Sequence, residues 1–261
     1  MVDTLLTLGV GLAATIGLMV VLWLASLPLH NSSIVDVFWG PAFLVQAAVY
    51  FAIAPHGSDA RSILVLVLVA IWSSRLALHI ATRNAGEGED YRYAKWREEA
   101  GGAWWWRSFF KVFALQGLLA WFIGLPMVAG MAGGPDRLTW LDGLGAGLWA
   151  IGFLFEAVGD WQLRRWTADP ANKGHTLRSG LWQYTRHPNY FGDATQWWAL
   201  WLIAQGAGGW WTLLSPLAMT FLLVRVSGVG MLEKTIPERR PDYADYMRTT
   251  SAFIPWLPKG P

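Results

Sequence analysis

The chain of 261 residues is 54% hydrophobic and 15% charged, with a formal net charge of +2 and a mean hydropathy of +0.32, so long apolar runs must dominate it. Cysteine is absent, which excludes disulfides, thiolate nucleophiles and thiolate metal sites, and the five histidines lack the close spacings of metal-binding helices, so no metal is expected. The small net charge, with no basic run interleaved with stacking aromatics, gives no reason to expect a nucleic-acid partner.

A helix needs on the order of twenty residues to cross a hydrocarbon core. Seven runs have about that length: residues 4–27, 34–54, 63–82, 109–131, 143–163, 189–207 and 211–232. The prediction is an all-α polytopic membrane protein with seven transmembrane helices, a single membrane domain over residues 1–261 and a monomer. The first run opens MVDTLLTL, without a basic leader or a small-residue cleavage site, and reads as a retained span. Glycines in DGLGAGLWAIG, Gly143 to Gly152, lie within an apolar run rather than in a βαβ unit, so they read as helix-packing residues and not as a dinucleotide fingerprint. The nineteen tryptophans, as in Trp104 to Trp106, read mainly as an interfacial belt.

Basic residues set the orientation, because cytoplasmic loops are enriched in Lys and Arg. The connection after the third run carries Arg83, Arg92, Lys95, Arg97 and Arg107, and the one after the fifth carries Arg164, Arg165, Lys173, Arg178 and Arg186. The opposite loops offer only Arg61 and Arg137. The N-terminus is therefore expected outside and the C-terminal tail in the cytoplasm.

Ionisable groups inside spans are costly and mark wet cavities or partner contacts. Asp36, Arg75 and His79, Glu156 and Asp160, Asp193 and Gln196, Arg225 and Glu233 all fall toward the predicted cytoplasmic side. Helical spacing groups Trp72, Arg75 and His79 in one stripe, Glu156, Asp160 and Arg164 in a second, and Asn189, Asp193 and Gln196 in a third. Structural pairing of Asp36 with Arg75, or Asp193 with Arg225, would explain any one of these. The set together reads as a pocket for a polar, anionic ligand entering from the cytoplasm. Pro188 suits the first turn of a helix, so the sixth run starts at His187-Pro188-Asn189 with its positive dipole end near Arg178 and Arg186, a ready phosphate site.

Four motifs carry a family resemblance: GDWQLRRW from Gly159, SGLWQYTRHPNYFGD from Ser179, RVSGVGMLEK from Arg225 and DYADYMRTTSAFIPW from Asp242. With WSSRLALH and GEDYRYAKWR in the first half, the chain resembles the membrane steroid 5α-reductase family in its bacterial branch. The resemblance implies an enzyme of the bacterial inner membrane that uses NADPH, bound on the cytoplasmic side, to reduce the Δ4 double bond of a 3-oxo steroid or a related enone lipid. It implies a substrate cavity in residues 1–131 and cofactor binding in residues 143–261. By motif position Asp160, Arg164, Tyr184, Asn189, Asp193 and Arg225 would contact the cofactor, with Arg165, Arg178, Arg186 and Lys234 added for phosphates and His187 and Glu233 completing the set. Asp36, Trp72, Arg75 and His79 would face substrate.

The family pairs a carboxyl group with a tyrosine as the electrophilic catalyst. Asp36 is the carboxyl candidate, but Trp72 stands where the tyrosine is expected, and an indole N–H is no proton source. The donor is open among Asp36 alone, a water, and Tyr91 or Tyr93 of GEDYRY. Two other classes compete: an isoprenylcysteine methyltransferase-like enzyme using S-adenosylmethionine, which has no phosphate to explain the arginines, and a lipid-binding or transport protein without chemistry, for which no inverted repeat is evident.

Overall fold

The structure is a computed structural model and describes residues 2–226, 228–230, 233, 236 and 240–259. Among the described residues it is helical, with no strand and one isolated bridge between Thr185 and Ser251. Long apolar helices make it a membrane protein: Thr4–Leu29, Asp59–Asn84, Tyr91–Ala132 and Trp140–Ala168 are long and apolar enough to cross a bilayer. Apolar side chains on them stand exposed, Leu5, Leu6, Val21 and Leu24 among them, as a lipid-facing surface requires.

The chain divides into two compact units, residues 1–140 with 203–212, and residues 141–202 with 213–261. The first begins with α1 (Val2–Leu29), α2 (Ile34–Val37), α3 (Trp39–Ile53) and α4 (Asp59–Asn84). The second predicted run is thus broken at Phe38, whose backbone (φ −91°, ψ 5°) leaves the helical range, and Asp36 falls in the short turn ahead of α3. α3 and α4 touch closely where Gly40 meets the backbone of Ser73, and Phe43 packs edge-on against Trp72 at 5.4 Å. Arg61, fully buried at the start of α4, donates to the carbonyls of Gly133, Pro135 and Arg137 and so fixes that loop.

Tyr91–Ala132, which contains the fourth predicted run, is a helical run of 42 residues, about 60 Å and twice the thickness of a hydrocarbon core. Its composition divides it. α5 (Tyr91–Ala100, YRYAKWREEA) is charged, α6 (Trp104–Ser108, WWWRS) is interfacial, and α7 (Leu115–Ile123) and α8 (Leu125–Ala132) are apolar. A π-helical turn over Phe109–Ala114 joins α6 to α7.

The second unit holds most of α9 (Trp140–Ala168) and α10 (Pro188–Gln205), with α11 (Leu214–Phe221) running into a π turn over Leu222–Val226, and α12 (Tyr243–Thr249) in the tail. Gly152 and Gly192 let α9 and α10 approach so closely that a Cβ on Gly192 would lie 2.4 Å from the Glu156 nitrogen. By contrast Gly143 and Gly147 face open space, so only part of the predicted glycine set serves packing.

Candidate functional site

In the first unit, polar residues converge on Asp36. Asp90 caps α5, accepting from the Arg92 backbone nitrogen at 2.9 Å, and its carboxylate also takes the Arg92 guanidinium at 2.9 and 3.2 Å. That holds Arg92 so that Nη2, which it shares with Asp90, also reaches Asp36 Oδ2 at 3.2 Å. Tyr93 donates to Asp36 Oδ1 at 2.7 Å, and Gln116 of α7 donates to the Tyr93 oxygen at 3.2 Å. Tyr93 is buried, whereas Tyr91 is 69% exposed. Behind this group Glu89 chelates Arg97 at 2.8 and 2.9 Å, and Ser32 and Ser33 bind Glu89 and Asp90 through the loop after α1. Burial raises the Glu89 and Asp90 carboxyls, but hydrogen bonds and charge from Arg97 and Arg92 outweigh it and hold both below the usual carboxylate range. Trp72 is buried in the α3–α4 core, and Arg75 and His79 are half-buried farther along α4.

The second unit holds the later motifs. Asn189, in the first turn of α10, donates to Asp160 of α9 at 2.9 Å, and Gln196 donates to Glu156 at 2.7 Å. Asp160, Glu156, Gln196 and Asp193 are buried, and Tyr184 is half-buried. Trp182 anchors the approach to α10 by donating to the Gly159 carbonyl at 3.1 Å.

Arg186 and His187 meet Glu233. Arg186 reaches both Glu233 oxygens, at 2.7 and 3.0 Å, and spends a third nitrogen on the carbonyls of Met247 and Thr250 at 2.9 and 2.7 Å. His187 Nε2 lies 3.1 Å from the same carboxylate, and its ring stacks on Tyr190 at 5.5 Å. Burial would raise the Glu233 carboxyl, but His187 and Arg186 pull it down to about 2. Arg178 binds the carbonyl and side chain of Asp242 and lies over the Tyr246 ring. Together with Tyr246 donating to Trp182 and the Thr185–Ser251 bridge, these contacts seat the tail on the entry to α10.

Arg164, Arg165 and Arg225 are exposed and form no ion pair among the described residues. Arg165 lies over the Trp161 ring at 5.7 Å and lines, with Gln162, Trp166, Asn172 and Ser179, a hollow of about 250 Å³. Lys234 lies outside the described residues. No group of three or more potential metal ligands occurs among the described residues.

Sequence reasoning left Tyr93 as one of several donors and missed Arg92 and Gln116. The Asp90 N-cap was the available signal, because it fixes where α5 starts and hence which tyrosine turns inward.

Among curated proteins the chain is similar to the uncharacterized protein C594.04c of Schizosaccharomyces pombe, 25% identical over 280 residues that cover 95% of this chain and 79% of that one. No solved structure matches the chain. A family model described as a protein of unknown function, DUF1295, matches residues 22–250, and the chain belongs to that family.

Proposed function

We propose that this protein is an NADPH-dependent membrane oxidoreductase that reduces the carbon–carbon double bond of an enone lipid, with Δ4-3-oxo steroids as the substrate class. The observation that carries the reading is the buried Tyr93 hydroxyl held between the Asp36 carboxylate and the Gln116 amide. Hydride arriving at the β carbon of an enone builds negative charge on the carbonyl oxygen, which needs a positioned proton donor. A protonated Asp36 donates to the tyrosine oxygen and frees the tyrosine O–H for a substrate carbonyl, while Arg92 and Gln116 hold the two side chains in register. On this reading Tyr93 fills the role that the family resemblance assigns to a tyrosine, and Trp72 shapes the apolar wall.

NADPH supplies the hydride. Its diphosphate and ribose phosphate suit guanidinium donors, and the exposed Arg164, Arg165 and Arg225 fit that load. The hollow beside Arg165, about 250 Å³, is smaller than the roughly 300–1,000 Å³ usual for whole ligands and suits one part of a dinucleotide. Asp160, Asn189, Asp193 and Tyr184 supply directional hydrogen bonds, Lys234 adds a cation, and Arg178, Arg186, His187 and Glu233 position this end of α10 through the tail. The protein is proposed to act as a monomer in the bacterial inner membrane, with seven spans, its N-terminus outside and its cofactor site toward the cytoplasm.

The test is turnover of purified protein in lipid nanodiscs with NADPH and a panel of Δ4-3-oxo steroids, with the product identified. Tyr93→Phe and Asp36→Asn should each lose about 10²-fold or more in turnover, the usual contribution of a general acid, while keeping the rise in melting temperature on adding NADPH. A melting shift with S-adenosylmethionine and none with NADPH would replace the reductase by a methyltransferase. Near-native turnover of Tyr93→Phe would remove the pair as the donor.

A further inference from the structure

A second hollow, of about 430 Å³, opens in the first unit where charged α5 gives way to the apolar part of the same helical run. Its walls are Trp96, Trp104, Trp106 and Phe110. Two cations project into it. Lys111 Nζ lies 4.1 Å over the Trp96 ring, and the Arg107 guanidinium lies 5.5 Å over Trp106. Neither forms an ion pair among the described residues, while the one acid in the lining, Glu99, has Lys95 at 4.0 Å. Trp106 and Phe110 stand 43% and 63% exposed, and Leu115 and Leu118 of α7 continue the exposed apolar surface from Phe110 into the membrane segment. The π turn over Phe109–Ala114 carries both Phe110 and Lys111. Such turns insert an extra residue and are frequent at functional sites.

We infer that this hollow binds the headgroup of an anionic phospholipid, phosphatidylglycerol in kind, with its phosphodiester between Arg107 and Lys111 and its acyl chains along Phe110, Leu115 and Leu118. Charge selects the class. With Glu99 matched by Lys95, Arg107 and Lys111 leave two positive charges at the hollow, which favour an anionic phosphate headgroup over a zwitterionic one. A quaternary ammonium headgroup is disfavoured because the Trp96 and Trp106 faces it would need already carry cations. Glu99 at the edge can accept from the glycerol hydroxyls. The location is where aromatic belts and juxtamembrane basic residues engage anionic lipid.

The experiment compares purified wild type with Arg107→Gln/Lys111→Gln in nanodiscs of phosphatidylcholine alone and with phosphatidylglycerol added, reading melting temperature and the lipid retained after detergent exchange. Wild type should melt higher with phosphatidylglycerol and retain it. The double variant should bind it about thirtyfold more weakly, the effect of two juxtamembrane cations, and melt like wild type in phosphatidylcholine. If the double variant does not fold, Arg107→Lys/Lys111→Arg keeps the charges and must keep the response. Soluble glycerol phosphate should shift neither protein, since it lacks the acyl chains. An equal response to phosphatidylglycerol in wild type and the glutamine variant, or an equal wild-type response to both lipids, overturns the assignment.

Discussion

Arg186 donates to one carboxylate and two carbonyls at a site where it is only 7% exposed, so its loss would strand several groups at once. Removing one partner of such a buried pair costs about 3 kcal/mol or more, and Arg186→Gln should lower the melting temperature accordingly. Glu233→Gln gives the pH test. The folded protein holds Glu233 at about 2, below the ordinary glutamate value, so its charge contributes stability fully above about pH 4.5 and loses it as pH falls toward the folded value. The melting-temperature gap between wild type and Glu233→Gln should therefore be full at pH 6 and narrow from about pH 4.5 downward; a gap constant down to pH 3 contradicts the pairing. The sequence marked Arg186 as a cation near a helix start but could not show its partners, because Glu233 lies 47 positions away and the carbonyls 61 and 64. Tyr93 against Tyr91 was undecided for a local reason: the two differ by about 200° around a helix, and only the helix start assigns them to opposite faces.

At the scale of elements, α9 and α10 meet through glycine, and the two kinds of glycine in these helices make opposite predictions. Gly192→Ala would press a Cβ onto the Gly152 oxygen and the Glu156 nitrogen, both at 2.4 Å, and backbone cannot yield as a flexible side chain does. Overpacking of this kind costs about 1–3 kcal/mol. Gly143→Ala meets nothing within 4 Å and should be neutral or stabilising by up to about 1 kcal/mol, from helix propensity alone. Melting temperatures of the two variants in one detergent decide it, and equal destabilisation would refute the close approach. The length of their apolar runs made α1, α4 and α9 legible almost to their ends, since few polar residues interrupt them. It joined α2 to α3, because Phe38 is as hydrophobic as its neighbours and its turn leaves no mark in hydropathy. The π turn at Phe109–Ala114 was equally silent, being a change of hydrogen-bond register within an apolar segment.

For the whole molecule the open quantity is how many helices cross. α3 has 15 residues and α10 has 18, about 22 and 27 Å, against a hydrocarbon core of about 30 Å. Seven runs were visible in composition, whereas among the described residues four helices meet length and hydropathy together, because Asn189, Asp193 and Gln196 dilute α10, the turn at Phe38 shortens α3, and the helical run of α11 is described only over Trp210–Val226. The absence of cysteine makes the count measurable, since any single introduced cysteine is the only thiol that a membrane-impermeant maleimide can label. Arginine-rich loops inside fix two reference sites in either arrangement: Asp136→Cys labels on intact cells, and Lys173→Cys only after permeabilisation. The arrangements part at the connections flanking the short helices. Seven crossings put His30 inside and Trp210 outside, so Trp210→Cys should label on intact cells and His30→Cys should not. With four crossings the 30–58 connection lies wholly outside and everything after α9 wholly inside, and both results invert. A mixed outcome would mean that α3 crosses without α10 and α11, or the reverse. Bilayer thinning around the short helices, at fractions of a kcal/mol per ångström of mismatch, is small enough for the seven-span result to be the expected one.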